Sequence, residues 1–365
     1  MRRGTTLAHP VRPALMRSTL ESCLTRSWLR RGALAWLLLP VALVVRLLSM
    51  AHRGWYACGL GRVERAPVPL VVVGNVVAGG VGKTPVVIAL LEHFQRLGLR
   101  VGVVSRGHGR SHGQARLVTP SDSAQDVGDE PLLLSQRCGV PVAVARQRMD
   151  AVRALMQAHP HLQLIVSDDG LQHHAMWHDL ALCVFDDRGV GNGWPLPAGP
   201  LREAWPRTPR PGSAQWVLHT GVNAMPVLDK QLSTFRVERQ LAGVARNGLG
   251  HSRPLTDWVG HPVHALAGIA HPARFFAMLE QQGLQLRTRQ ALSDHATLPE
   301  LTTAVHQVPA GDILLCTEKD AVKLWPQHPD VWAVPLQTTL PDDLLNRIDE
   351  WVQPRLSLPH GQQTA

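Results

Sequence analysis

Ala78-Gly79-Gly80-Val81-Gly82-Lys83-Thr84, followed by Pro85, has the residue types and spacing of a loop that holds phosphate. Glycines let backbone N–H groups turn toward an anion, and a helix starting directly behind them adds positive potential. Lys83 can reach the β- and γ-phosphates of a nucleotide, and the Thr84 hydroxyl can bind Mg2+. The usual GxxxxGK[ST] spacing asks for Gly at position 77, where this chain has Val77, so the match is to a GGxGKT variant. A glycine-rich turn with a solvated Lys would look the same in isolation. The chain, however, holds only four Lys against thirty-three Arg, and one of the four stands here.

Carboxylates offer the second half of such chemistry. Leu162-Gln-Leu-Ile-Val-Ser-Asp168-Asp169 is an apolar run ending in two acids and Gly170. At the carboxyl end of a parallel strand, such acids stand where a phosphate-loop enzyme holds Mg2+. Asp129 and Glu130 follow Gly128 and precede a helical segment. They could serve as helix-dipole partners, as a base, or as Mg2+ ligands. Asp294-His295 lies in a loop before Pro299. His173, His174 and His178 invite a metal reading through the i,i+4 pair, but no HExxH glutamate or third ligand accompanies them, which argues against zinc.

These residues need a scaffold, and the surrounding pattern is alternating α/β. Leu70–Val73, Val101–Ser105, Val142–Ala145, Leu162–Ser167, Leu180–Phe185 and Trp216–His219 read as buried strands, with helices near 85–97, 131–137 and 148–158. Residues 228–255 turn polar and loosely alternating, as a linker or β-ribbon. A second unit follows: Val263–Ile269 strand, Pro272–Gln282 helix, Ile313–Cys316 strand and Val331–Val334 strand. The expected division is a basic arm at 1–65, a core at 66–227, a ribbon at 228–255, a C-terminal α/β domain at 256–355 and a polar tail at 356–365.

The chain has 365 residues and a net charge of +9. Residues 1–65 hold eleven Arg and two Glu, which is the whole excess; the other 300 residues balance 26 basic against 26 acidic side chains. A nucleic-acid-binding face spread over the fold is thereby disfavoured. Five Cys (Cys23, Cys58, Cys138, Cys183, Cys316) lie far apart without a CxxC pair, which fits a reducing compartment better than a disulfide framework or zinc site. Ala33–Val45 is uncharged but short for a span, and Pro40 and Arg46 interrupt it. It reads as an interfacial helix, with Arg side chains at an anionic leaflet. Ser49-Met50-Ala51 resembles a signal cleavage site, yet a nucleotide site just downstream has no use outside the cytoplasm. Residues 1–15 read as a poorly structured extension, and Met16 offers an alternative start.

Together the motifs resemble one family, the tetraacyldisaccharide 4'-kinases of lipid A biosynthesis. The resemblance is carried by Val71-Val-Val-Gly-Asn75, Ala78–Pro85, Val104-Ser-Arg-Gly107, Gly128-Asp-Glu-Pro131, Ser167-Asp-Asp-Gly-Leu-Gln-His173, Gly193–Glu203 (GWPLPAGPLRE), Ser293-Asp-His295 and Thr317–Lys323 (TEKDAVK). One departure is His108, where the family commonly has Tyr. The resemblance implies an α/β fold with a P-loop NTPase-like core, a mostly parallel sheet, a smaller C-terminal α/β domain and an N-terminal membrane-associated helix. It implies transfer of the γ-phosphate of ATP, with Mg2+, to the 4'-hydroxyl of an acylated disaccharide 1-phosphate lipid. The place would be the cytoplasmic face of the inner membrane, peripheral or monotopic, against anionic lipids and with no nucleic acid. It makes Asp129 the base and His295 its partner, beside Lys83 as a catalytic cation. Thr84, Glu130, Asp168 and Asp169 are candidates for Mg2+ or its surroundings. Asn75, Gln172 and Arg202 go to the substrate, the last as a guanidinium suited to an anionic group. A membrane-positioning P-loop ATPase of the partitioning type shares GGVGKT. Such proteins carry a further Lys early in the loop, where this chain has Ala78, and have no use for a second domain with TEKDAVK.

Overall fold

The computed structural model describes residues 27–110, 113–223 and 232–356. Cys23, the 1–15 extension, the Met16 start and most of the polar tail lie outside the described residues.

The first sheet is built from β1 (Leu70–Gly74), β2 (Val101–Ser105), β3 (Arg116–Val118), β4 (Val142–Val144), β5 (Leu164–Asp168), β6 (Leu180–Phe185), β7 (Ala214–His219) and β8 (Thr234–Arg236). Its order is β3-β4-β2-β5-β1-β6-β7-β8, parallel throughout except for the β3–β4 edge pair. Strands buried on both faces need unbroken apolar runs, and β1, β2, β5 and β6 are buried at every position. Around them pack α2 (Lys83–Arg96), α3 (Ala124–Val127), α4 (Asp129–Cys138) and α5 (Arg148–Ala158). Helix α2 turns Val87, Leu90, Leu91 and Phe94 into the core at helical spacing. The chain runs from β1 outward to β2 and β4 on one side, and to β6 and β7 on the other. The carboxyl end of β1 is therefore a topological switch point, where a crevice forms.

The second sheet, ordered β11-β10-β15-β14-β12-β13, uses β10 (Val244–Asn247), β11 (Ser252–Pro254), β12 (Pro262–Ala267), β13 (Gln285–Ala291), β14 (Ile313–Thr317) and β15 (Trp332–Val334). It carries α6 (Pro272–Gln281), α7 (Leu298–His306) and α8 (Glu318–Leu324). The strand β13, Gln-Leu-Arg-Thr-Arg-Gln-Ala, is an edge strand with no fully buried residue, so no apolar run announces it.

Two features depart from the expected boundaries. The polar stretch after 228 is not all linker: β8 pairs in parallel with β7 as the last strand of the first sheet. The ribbon is narrower, an antiparallel pair of β9 (Glu238–Leu241) with β16 (Leu336–Thr339). After β16 the chain returns to the first unit. Helix α9 (Asp342–Leu356) buries Leu344, Ile348 and Val352 in the core of the first sheet, not in the C-terminal domain. Pro354 lies inside α9, which runs up to the expected start of the polar tail at 356. Replacing the fully buried Ile348 with Ala is therefore expected to destabilise the first unit by about 2–5 kcal/mol. Chemical denaturation followed by Trp fluorescence checks this; a midpoint equal to the parent's would show that α9 contributes no core packing.

Within the arm, the expected helix is longer than the uncharged run that announced it. Helix α1 (Ala33–Ala57) runs for 25 residues through both Pro40 and Arg46. It is long and apolar enough to cross a membrane by length and composition, and little of it is buried. Its ends are tied to the loop after β6: Trp28 Nε1 donates to Pro197 O at 2.9 Å, Arg31 Nε to Asn192 O at 3.1 Å, and Arg53 Nη2 to Thr208 O at 2.9 Å. Trp36 meets Trp194 edge-on at 4.8 Å.

Candidate active site

The glycine loop leaves the end of β1 and closes onto α2. Gly82 caps α2 with φ +83°, a left-handed conformation that favours glycine, and an added Cβ would overlap the Arg239 guanidinium. Asn75 holds the loop from inside. Its Nδ2 donates to Val77 O at 2.6 Å and to Gly79 O at 3.3 Å, while its Oδ1 accepts from Lys83 Nζ at 3.2 Å. Asn75 is fully buried and frames the loop. Gly80, Val81, Gly82, Lys83, Thr84 and Pro85 line a cleft cavity of about 220 Å³. Earlier in the loop, Ala78 N donates to Pro200 O at 2.7 Å.

That contact draws Gly193–Glu203 into the site. Arg202 N donates to Val76 O, and Arg202 Nη1 pairs with Asp169 at 3.2 Å. Gln172 Nε2 donates to Asn75 O at 2.9 Å and to Glu203 Oε1 at 2.8 Å. Gln172 and Arg202 line a second cavity of about 210 Å³, walled on its other side by Arg46, Ser49, His52 and Arg53 of α1.

The two acids after β5 differ in environment. Both carboxylate oxygens of Asp168 are buried without a hydrogen-bond partner. Burial, then the nearby Glu130, pushes its carboxyl well above the ordinary range despite Lys83. Asp169 stands in a left-handed conformation, φ 50°. Burial acts to raise its carboxyl, but Lys83, at 3.5 Å, and Arg202 outweigh it and hold the carboxyl low. Arg148 Nη2 fastens this turn by donating to the carbonyls of Asp168 and Asp169. An orphaned buried carboxylate near Lys83 has the chemistry of a ligand for a hard divalent cation such as Mg2+. The residues that would hold it are Thr84 and Asp168, with Glu130 beside them; Asp169 already has two cationic partners. Among the described residues no group of three or more His, Cys, Asp or Glu assembles. His178 is buried, and His174 packs on His52.

The candidate base lies across the cleft from its partner's domain. Gly128, φ +95°, packs so closely on Gly107 that an added Cβ would come within 3.0 Å of its Cα. This close approach sets the start of α4, with Asp129 and Glu130 in its first turn. From the second domain, His295 Nδ1 reaches Asp129 Oδ2 at 3.3 Å, and Lys323 Nζ reaches the same oxygen at 2.7 Å. Asp129 Oδ1 has no partner among the described residues. Burial acts to raise the Asp129 carboxyl, but His295, Lys323 and Lys319 together hold it below the ordinary range. Lys319 Nζ lies 3.4 Å from His295 Nε2. An ammonium only donates, so Nε2 accepts and Nδ1 carries the proton toward Asp129. His295 itself has φ 61°, a second strained backbone at the site. Lys319 also pairs with Asp294 at 3.0 Å and Glu130 at 3.8 Å. His108, the departure from the family pattern, packs its ring 5.3 Å from that of His295.

The sequence reading quoted Lys319 and Lys323 within a motif but gave them no task. Their i,i+4 spacing on α8 puts both on one helix face. They are two of the chain's four Lys, and with Lys83 three of the four stand at this cleft. That scarcity was the available signal.

Comparison with known proteins places the chain in a family. A family model for LpxK, tetraacyldisaccharide-1-P 4'-kinase, matches residues 34–353. A tetraacyldisaccharide 4'-kinase of Acidovorax ebreus is 48% identical over 344 residues, covering 94% of this chain and 97% of that one. One from Polaromonas naphthalenivorans is 47% identical, covering 94% and 100%. Among solved structures, "apo" form LpxK from Aquifex aeolicus in complex with ATP superposes with a TM-score of 0.74 at 24% identity, over 87% of this chain and 99% of that one. The last likeness speaks for the fold.

Proposed function

The chain belongs to the tetraacyldisaccharide 4'-kinase family, a phosphotransferase family of lipid A biosynthesis, and we propose how its cleft carries out the transfer. The first unit acts as a P-loop NTPase-like core with ATP as donor. Backbone amides of Gly79–Thr84 and the Lys83 ammonium take the β- and γ-phosphates at the positive end of α2. When bound, Mg2+ neutralises charge on the phosphates. The acceptor is the 4'-hydroxyl of a tetraacylated glucosamine disaccharide 1-phosphate. Its oxygen forms a bond to the γ-phosphorus as the bond to the β–γ bridging oxygen breaks, and the hydroxyl proton passes to Asp129 Oδ1. His295 fixes the carboxylate through Nδ1–H, and Lys323 fixes it from inside. A low carboxyl pKa makes Asp129 a weak base, so orienting the hydroxyl is the larger part of its work.

The observation that carries this reading is the cross-domain meeting of Asp129 with His295 and Lys323 at the cleft containing Lys83. Purified chain given γ-labelled ATP and the disaccharide 1-phosphate should place label on the 4'-position. Label appearing only as free phosphate would reject the acceptor assignment.

The cavity between α1 and the Arg202 loop takes the acceptor's sugar, with Gln172 and Arg202 toward the phosphate loop. The other face of α1 lies in the cytoplasmic leaflet of the inner membrane, where Leu37, Leu47 and Leu48 are more than half exposed. Changing Leu37, Leu47 and Leu48 together to Gln leaves the Trp28, Arg31 and Arg53 ties intact. The variant should lose co-sedimentation with anionic vesicles; unchanged sedimentation would place the anchor elsewhere.

A further inference from the structure

The cleft carries two guanidinium groups that the transfer described above does not use. Arg239 projects from the ribbon strand β9, and Arg274 from α6 of the second domain. Both line the same cavity as Gly80–Thr84. Both donate to a single neutral acceptor, Thr220 O, at 2.6 Å from Arg239 Nη2 and 3.5 Å from Arg274 Nη2. Among the described residues neither has a carboxylate within 4 Å.

The nearest acids are already engaged. Asp186 is paired with Arg188 at 2.9 Å and faces His271 at 3.7 Å. Asp187 accepts from the amides of Val222 and Asn223 and faces His219 at 3.8 Å. Arg239 Nε is buried with no hydrogen-bond partner. Burial, reinforced by repulsion from Arg274, lowers the Arg239 guanidinium to about 10. Its Nη1 rests against the Cα of Gly82, the residue that opens α2. Two like charges brought together without a counter-charge repel one another unless an anion joins them. Planar guanidinium forks suit phosphate oxygens, with which they form paired, charge-assisted bonds.

We propose that Arg239 and Arg274 bind the polyphosphate chain of the nucleotide, reaching it from the ribbon and the second domain while Lys83 reaches it from the first. This rests on the reading of Gly79–Thr84 as a nucleotide site and adds to it. The phosphates become the counter-charge that the pair lacks. The nucleotide is then held by the first unit, the ribbon and the second domain at once.

The test is calorimetric titration of the full chain with ATP, ADP and adenosine in the presence of Mg2+. The proteins are the parent, Arg239→Met, Arg274→Met and Arg239→Lys, each first checked for an unchanged melting temperature without ligand. Each Met variant should weaken ATP and ADP by about 10–100-fold, the effect of losing hydrogen bonds to charged groups. Adenosine, without phosphate, should bind all four proteins alike, and Arg239→Lys should recover part of the loss. Arg274 stands on a separate element, so its variant carries the test even if Arg239→Met fails to fold. ATP and ADP affinities within about twofold of the parent would overturn the proposal. So would an equal weakening of adenosine, which would make the pair mere cleft wall. A parent that binds no ATP would overturn the nucleotide reading itself, and the proposal with it.

Discussion

Replacing Asp129 with Asn is expected to lower kcat by about 10²–10⁴-fold, the usual contribution of a positioned base, while ATP affinity stays near the parent's. The substitution keeps the shape of the side chain and its place in the first turn of α4. It removes the negative charge that Lys323 meets at 2.7 Å and His295 at 3.3 Å. The acceptor hydroxyl then has no anionic oxygen to receive its proton or fix its direction. None of these atoms belongs to the glycine loop, so nucleotide binding should be spared. Steady-state kinetics and ATP titration of the same preparation give the two numbers. A normal kcat would remove Asp129 from the reaction; a loss of ATP affinity matching the loss of turnover would make it a structural residue.

Replacing Lys83 with Met is expected to cost about 10²–10³-fold in kcat, the range found when one preorganised donor to a developing charge is lost. Lys83 is the cation that joins Asn75 Oδ1 to Asp169, at 3.2 and 3.5 Å. With Met in its place, Asp169 keeps Arg202 as partner, so the turn after β5 should hold. The buried Asp168 loses the one nearby ammonium that lowers its pKa and should be protonated more readily. Single-turnover transfer at saturating ATP isolates the chemical step from the weaker nucleotide binding expected alongside. A rate within threefold of the parent (about 0.65 kcal/mol) would mean that loop amides alone stabilise the transferred group.

Much of the first unit was legible because its signals are local. Strands buried on both faces are written as apolar runs, and the phosphate loop is contiguous from Ala78 to Thr84. Asp168 and Asp169 could be placed at the end of β5 for the same reason. What could not be read is what depends on distant partners. Asp129 and His295 are 166 positions apart, and only a family resemblance paired them. The pKa of Asp129 had no predictable sign, because burial and charge oppose each other there; the structure supplies Lys323 and Lys319, which settle the sign downward. Asn75 was assigned to the substrate, and nothing local in the sequence told that its side chain braces the loop from inside. Helix α9 was missed as part of the first core because its amphipathic face matches a sheet more than 100 residues earlier in the chain. Arg239 sat in a stretch read as a linker or β-ribbon, and nothing in a polar ribbon marks the one side chain that folds back onto Gly82.

The central claim is that a carboxylate from the first domain and an imidazole from the second act as one unit on the acceptor hydroxyl. A double-mutant cycle in single-turnover phosphoryl transfer tests it, using Asp129→Asn, His295→Ala and the double variant. Groups acting as a unit lose their effect together, so the double variant should be no slower than the slower single variant. Losses that multiply, so that the double variant falls below the parent by the product of the two separate effects, would contradict the claim.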